Sequence, residues 1–284
     1  MTAGDSGTVE WTLSGFGDEI DQDPRIQAAV LLALGARHLE VRSAWGTNIV
    51  ELDKTQLDRL RTELTDAGVG VSAIASPIGK VQVDLPVEHE VERLDRAIAA
   101  AEALDTKYIR IFSFYRADGV APEDVRDATL ERMSALAKRA EQAGVVLLHE
   151  NEKDIYGDIP SRCLDLITSV GSPALKIAWD NANFVQVGVR PFSEGFEALA
   201  PYVEYLQVKD ARLADGVVVP AGEGDGELAE TIAGLRDRGF VGFASLEPHL
   251  ASANNLGGWS GPIEFGRAAR AFRSLTDRSG VSLV

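Results

Sequence analysis

The sequence predicts an α/β fold of the closed (β/α)8 barrel type, on three observations. Short apolar runs alternate with longer segments of helical spacing along the chain, eight of each. Such an alternation fits parallel strands joined by helical crossovers. Eight units also suit 284 residues, since a barrel of this kind takes roughly 250. The third observation concerns the main rival, an open doubly wound sheet, which normally carries a glycine-rich phosphate turn after its first strand. Here Gly17-Asp18-Glu19 follows that strand, and its acids would repel a phosphate.

Taken in order, Met1 to Glu10 are small and polar and read as a flexible tail. They lack the basic start and apolar run of a signal peptide. Residues 11–284 read as one barrel domain. The expected strands are Trp11–Phe16, His38–Arg42, Gly70–Ala75, Tyr108–Ser113, Val145–Glu150, Leu175–Asp180, Tyr205–Lys209 and Gly242–Glu247. Between them, apolar stripes mark helices: Leu57, Leu60, Leu64 and Ala67; Val91, Leu94, Ile98 and Ala101; Val125, Ala128, Met133, Leu136 and Ala140. Gly35, Gly68 and Gly144 stand where helices should stop. Residues 179–191, rich in Asn and Gly, read as the longest loop.

The formal net charge of -16 argues against nucleic acid and anionic membranes as partners, because both select basic surfaces. It gives no long-range help to a phosphorylated substrate. Cys163 is the sole cysteine, so no intrachain disulfide can form, which fits a reducing cytoplasm. No apolar stretch approaches the length of a bilayer span. A cytoplasmic protein is expected, with homo-oligomerisation open and Trp259 as a candidate contact.

Barrel active sites lie at the C-terminal ends of the strands. Here the fifth strand ends in Glu150, the sixth in Asp180 and the eighth in Glu247. Gln207 lies on the seventh, with Lys209 two residues on and on the same face. The second strand brings Glu40 and Arg42. Three carboxylates crowded at one low-dielectric mouth cannot all ionise uncompensated. Either they cap helices and pair with Arg42, Arg110 and Lys209, or a divalent cation joins them. An all-oxygen set of Glu150, Asp180, Gln207 and Glu247 suits Mn²⁺ or Mg²⁺. Zinc would prefer His or Cys. His149 and His249 flank ligand candidates, whereas His89 reads as a surface residue. Trp45, Phe112, Tyr115 and Trp179 could stack on a sugar or simply pack. Residues 220–226 read as a rim segment or a flexible connection.

These strand ends resemble the xylose isomerase-like TIM barrel superfamily, the sugar phosphate isomerase/epimerases. The likeness rests on Gly15–Ile20, Leu39-Glu40-Val41-Arg42, Ser76-Pro77-Ile78-Gly79-Lys80, His149-Glu150-Asn151-Glu152, Trp179-Asp180-Asn181-Ala182-Asn183, Val208-Lys209-Asp210 and Ser245-Leu246-Glu247-Pro248-His249. In the ketose 3-epimerases of that superfamily, Glu, Asp, His and Glu on the fifth to eighth strands hold the metal. Glu150, Asp180 and Glu247 match three of these. Gln207 replaces the His, as in hydroxypyruvate isomerase-like members, and Asn183 replaces a substrate-binding His. The zinc-type apurinic endonucleases of the superfamily need several His ligands and a DNA-friendly surface, neither of which this chain offers.

The resemblance implies a metal-dependent isomerase or epimerase of a small unphosphorylated ketose or keto-sugar, working through an enediolate. Glu150 and Glu247 would move the proton, with Lys209 binding a hydroxyl or acting as an acid. Glu40, Lys80, Asn183, His149, His249 and Arg212 are the candidate substrate contacts. A lyase or dehydratase of a keto-glycoside or inosose would share the first step. A non-catalytic sugar-binding barrel is the third alternative.

Overall fold

Residues 9–254 and 257–284 are described by a computed structural model of the chain. The expected tail lies largely outside these residues, but its last two members, Val9 and Glu10, already belong to a strand. The barrel strands are β1 (Val9–Gly15), β2 (His38–Val41), β3 (Gly70–Ala75), β4 (Tyr108–Ile111), β5 (Val146–Glu150), β6 (Leu175–Asp180), β7 (Val203–Val208) and β8 (Phe243–Leu246). All eight sequence-expected runs are there, with ends displaced by at most two residues. A further strand, β9 (Val281–Leu283), was not expected.

The strands run parallel in the order β9-β1-β8-β7-β6-β5-β4-β3-β2. Thr12 donates its N–H to Gly242 on β8's side, and Leu13 donates to Val284, the residue after β9. Successive N–H groups point to opposite edges of a strand. The C-terminal segment therefore covers the lower part of the edge that faces β2. Ring closure between β1 and β2 falls to the parallel bridge Phe16–Glu40 at the top.

Helices α1 (Pro24–Ala33), α2 (Lys54–Ala67), α3 (Val87–Ala103), α4 (Pro122–Ala143) and α5 (Pro160–Val170) follow the first five strands. The expected stripes face the sheet: Leu57, Leu60 and Leu64, then Leu94, Ile98 and Ala101, then Met133, Leu136 and Ala140 are all buried. Each fully buried leucine contributes about 1.5–3 kcal/mol. Asp53 starts α2 with a reciprocal cap to Gln56, and Gly68 ends it in the left-handed conformation at φ 70°. Gly144 ends α4 in the same way.

The expected long loop after β6 is instead mostly helical. It holds α6 (Asn181–Gln186), and a further helical segment, which starts at Phe192 and includes α7 (Glu197–Leu199), follows it. Asp180 caps α6 by accepting from the Asn183 N–H at 2.9 Å, which is why the chain turns helical there. Helices α8 (Leu228–Asp237) and α9 (Gly261–Arg278) complete the outer ring. None of the described helices is long and apolar enough to cross a membrane.

Inside the barrel, side-chain chemistry changes along the axis. The base is apolar, with Ala73, Leu148, Ala178 and Tyr205 packed by Tyr108, Val146 and Phe243. Above it runs a hydrogen-bonded polar chain: Ser14 Oγ to Ser72 Oγ at 2.6 Å, Ser72 to the Tyr205 hydroxyl at 2.9 Å, and that hydroxyl to Glu40 at 2.9 Å. Above that stand the ionic groups of the C-terminal rim.

Candidate active site

Strand register brings the chemistry together. Asp180 is paired with Gln207, and Gln207 with Ser245, so β6, β7 and β8 present their ends at one level. Glu150, Asp180 and Glu247 are all buried, and each offers a carboxylate oxygen within 4.8 Å of the others. Oxygens that share one hard cation sit about 2.0–2.6 Å from it, so this spacing is within reach of common coordination.

The acids are not alone. Arg110 donates to Glu150 Oε2 at 2.6 Å. Lys209 Nζ lies 2.8 Å from both Asp180 Oδ2 and Glu247 Oε2. Arg42 donates to Asp18 Oδ2 at 2.9 Å and to Glu247 Oε1 at 3.2 Å. Helix capping by Asp180 and pairing with Arg42, Arg110 and Lys209 thus both occur.

The electrostatics follow. Burial alone would raise the Glu247 carboxyl, but Lys209, His249 and Arg42 hold it well below the usual range. Burial likewise disfavours the Lys209 ammonium, and Asp180 and Glu247 outweigh it, so Lys209 stays charged. Asp180 is pushed up to about 7 by burial, against the pull of Lys209 and with Glu150 and Glu247 adding to the rise. Of the three carboxyls, Asp180 is thus the one whose ionised form burial and its acidic neighbours disfavour.

Whether a divalent cation fits can be judged from the unpaired oxygens. Gln207 gives its amide hydrogens to Glu40 at 3.1 and 3.3 Å, and its buried Oε1 has no hydrogen-bond partner. Asp180 Oδ2 touches Lys209 but accepts no well-aligned hydrogen bond. Both oxygens are hard donors, and together with Glu150 and Glu247 they suit Mn²⁺ or Mg²⁺ chemistry. A second acidic group, Glu19, Glu247 and His249, shares Glu247 with the first.

A cavity of about 100 Å³ opens above the cluster, lined by Arg42, Lys80, Arg110, Glu150, Lys209 and His249, among others. Larger clefts exist, such as one of about 450 Å³ beside His38, Thr65 and Asp105. It lies at the N-terminal end of β2 and β3 and gathers no comparable acids.

Several expected contacts reach the cavity. Lys80 pairs with Glu152 at 3.1 Å and sits 4.2 Å over the Phe112 ring. Gly79 makes this turn, since its φ of 83° disfavours a side chain and a Cβ would run into the Phe112 backbone. His249 stands 3.1 Å from Glu19 and 3.4 Å from Glu247. Burial opposes its charge, but those two acids raise it to about 9.

Other expected contacts lie elsewhere. His149 alternates outward from Glu150, bonds Ser113 Oγ at 2.9 Å, and is lowered to about 3 by burial. Arg212 is exposed and paired with Asp215 at 2.7 Å. Glu40 is buried beneath the cluster, where burial pushes it up to about 7. Asn183, buried on α6, donates to Glu150 Oε1 at 3.0 Å and to the Asn151 carbonyl at 2.8 Å. Trp179 is core, packed edge-on against Phe184. Trp45 lies under Arg59 instead of at the cavity. Residues 220–226 are pinned: Asp210 accepts N–H bonds from Gly222, Gly224 and Gly226 at 2.8–3.1 Å.

Sequence reading missed Asp18 and Glu19 as site residues. Asp18 holds Arg42 and Ser43. Glu19 accepts from the His249 N–H and from Ser260 Oγ, both at 2.9 Å, and so fixes the segment after β8. The signal was available, because both follow directly on the end of β1, on the active rim of such barrels.

Known proteins share this fold. The family model described as xylose isomerase-like TIM barrel matches residues 28–272. A 2-epi-5-epi-valiolone 7-phosphate 2-epimerase from Actinoplanes sp. is 27% identical over 242 residues, 81% of each chain. A D-tagatose 3-epimerase-like protein superposes with TM-score 0.77 at 16% identity, over 94% of this chain and 98% of that one. A xylose isomerase-like TIM barrel protein from Mycobacterium smegmatis, in complex with magnesium, superposes with TM-score 0.70 at 18% identity, over 99% and 100%.

Proposed function

The chain belongs to the xylose isomerase-like TIM barrel family, and on that premise we propose that it is a metal-dependent isomerase or epimerase of a small polyhydroxylated ketone. The reaction moves a proton on the carbon beside the carbonyl, through an enediolate. The observation that carries this reading is the buried trio Glu150, Asp180 and Glu247 beneath a cation-lined cavity. The epimerase relative, which shares 81% of its length with this chain, supports it.

Glu150, Asp180, Glu247 and the Gln207 oxygen would hold the divalent ion. When bound, that ion polarises a carbonyl and offsets the charge that develops on its oxygen. Glu150 and Glu247 come from β5 and β8, on different sides of the mouth. One takes the carbon proton and the other returns it on the opposite face. Arg110 and Asn183 hold the Glu150 carboxylate, and Arg42 holds that of Glu247, so neither must reorganise during the step. Lys209 and Lys80 offer N–H donors to substrate hydroxyls on the lining.

The substrate is read as unphosphorylated. Each cation on the lining already has a carboxylate partner: Arg42 with Asp18, Lys80 with Glu152, Arg110 with Glu150, Lys209 with Asp180, and His249 with Glu19. Among the described residues every lining cation is matched by a carboxylate before a metal binds, so the lining carries no cluster of unpaired cations for a phosphate. The test is turnover of free ketoses and keto-cyclitols against their phosphates, with Mn²⁺ present and products followed by NMR. New stereoisomers from the free compounds support the proposal, whereas turnover confined to phosphates contradicts the substrate reading. Elimination is the second reading, favoured by two nitrogen acids, Lys209 and His249, on one lining. Loss of a substrate group in the same spectra would select it.

A further inference from the structure

Lys209 Nζ sits between two carboxylates, 2.8 Å from Asp180 Oδ2 and 2.8 Å from Glu247 Oε2. Both residues belong to the trio whose oxygens lie within 4.8 Å of one another. Lys209 is buried, so its charge is poorly screened there. The next cations, Arg110 and Arg42, engage Glu150 and the other oxygen of Glu247. Lys209 is therefore the cation that faces Asp180.

We propose that Lys209 is a placeholder cation, which holds Asp180 and Glu247 in the metal-free protein and yields them when a divalent ion enters. The proposal rests on the reading that Glu150, Asp180 and Glu247 bind such an ion. The physical ground is charge. An ammonium on two of the three carboxylates lowers their attraction for a dication, because the incoming ion must displace it or sit beside it. Without the ammonium, three buried carboxylates would repel one another and the metal-free fold would weaken. The placeholder keeps the three carboxylates in place at the expense of affinity. Once released, the ammonium remains on the cavity lining, where it can meet a substrate oxygen.

The test uses the full chain and Mn²⁺ alone, with binding read by electron paramagnetic resonance. Lys209→Met keeps the stem and removes the charge. It should bind Mn²⁺ roughly ten-fold or more tightly than the native chain. Its melting temperature in chelator should fall, with a larger rise on adding Mn²⁺. Equal or weaker binding by Lys209→Met overturns the placeholder while leaving the metal reading standing. Saturable binding by neither chain overturns both.

A measurement on the native chain covers the case in which the variant does not fold. Amine acylation of Lys209, read by mass spectrometry and normalised to exposed Lys54, should rise several-fold when Mg²⁺ is added. Unchanged or reduced labelling counts against the proposal.

Discussion

Glu150 and Glu247 have carboxylates fixed at both oxygens by neighbouring groups, so replacing either with an amide changes charge more than shape. Glu150→Gln and Glu247→Gln should each lower kcat by about 100-fold or more, as loss of a positioned acid–base group does. Circular dichroism should show the fold retained, and near-native rates in both would remove them from the mechanism. Arg212 makes the opposite case. It is exposed and tied to Asp215, so Arg212→Ala should leave kcat/KM within about two-fold, as surface changes usually do. The difference between Arg212 and Lys80 was not legible in the sequence, because both follow strand ends. What separates them is a turn: Gly79 folds Lys80 back over Phe112, whereas Asp215 holds Arg212 outward. His149, expected as a substrate contact, faces Ser113 instead for a simpler reason. It neighbours Glu150, and adjacent residues of a strand face opposite sides.

At the scale of elements, the sequence pattern located every barrel strand, since each is a short apolar run between turn residues. It missed β9, three residues at the chain end whose pairing with β1 is purely long-range. It also read the segment after β6 as loop, because Asn and Gly are poor helix formers and the Asp180 cap that starts α6 is a contact, not a composition. Residues 220–226 show the same limit. Their glycines are needed by Asp210, whose carboxylate they approach with no room for a Cβ at Gly224 or Gly226. Gly224→Ala should therefore cost about 1–3 kcal/mol, read as a lower denaturation midpoint. A midpoint equal to that of the native chain would mean the clamp is dispensable. Between α4 and α5, hydrogen bonds from Arg126 hold Asp165 down at about 2. A depressed carboxyl adds stability above its ordinary value near 3.8 that is lost as pH falls towards 2. Asp165→Asn should flatten that acid limb in pH-dependent melting, and an unchanged limb would argue against the tie.

For the whole molecule, the gradient from apolar base to ionic rim explains why one fold supports both stability and chemistry. The aromatic and aliphatic layer fills the barrel. The Ser14–Ser72–Tyr205–Glu40 chain satisfies the middle, and the rim holds the charges that an apolar core could not accept. A net charge of -16 lies outside this gradient and did not forecast the cation-rich lining. A ligand that binds the folded chain alone stabilises it by mass action. Saturating Mn²⁺ should then raise the melting temperature, and Asp180→Asn should abolish that rise. The most direct test of the account is the stoichiometry of Mn²⁺ binding by electron paramagnetic resonance in the native chain and in Asp180→Asn. One saturable ion per chain, lost in the variant, is the predicted result; no saturable ion in the native chain, or an equal one in Asp180→Asn, would contradict it.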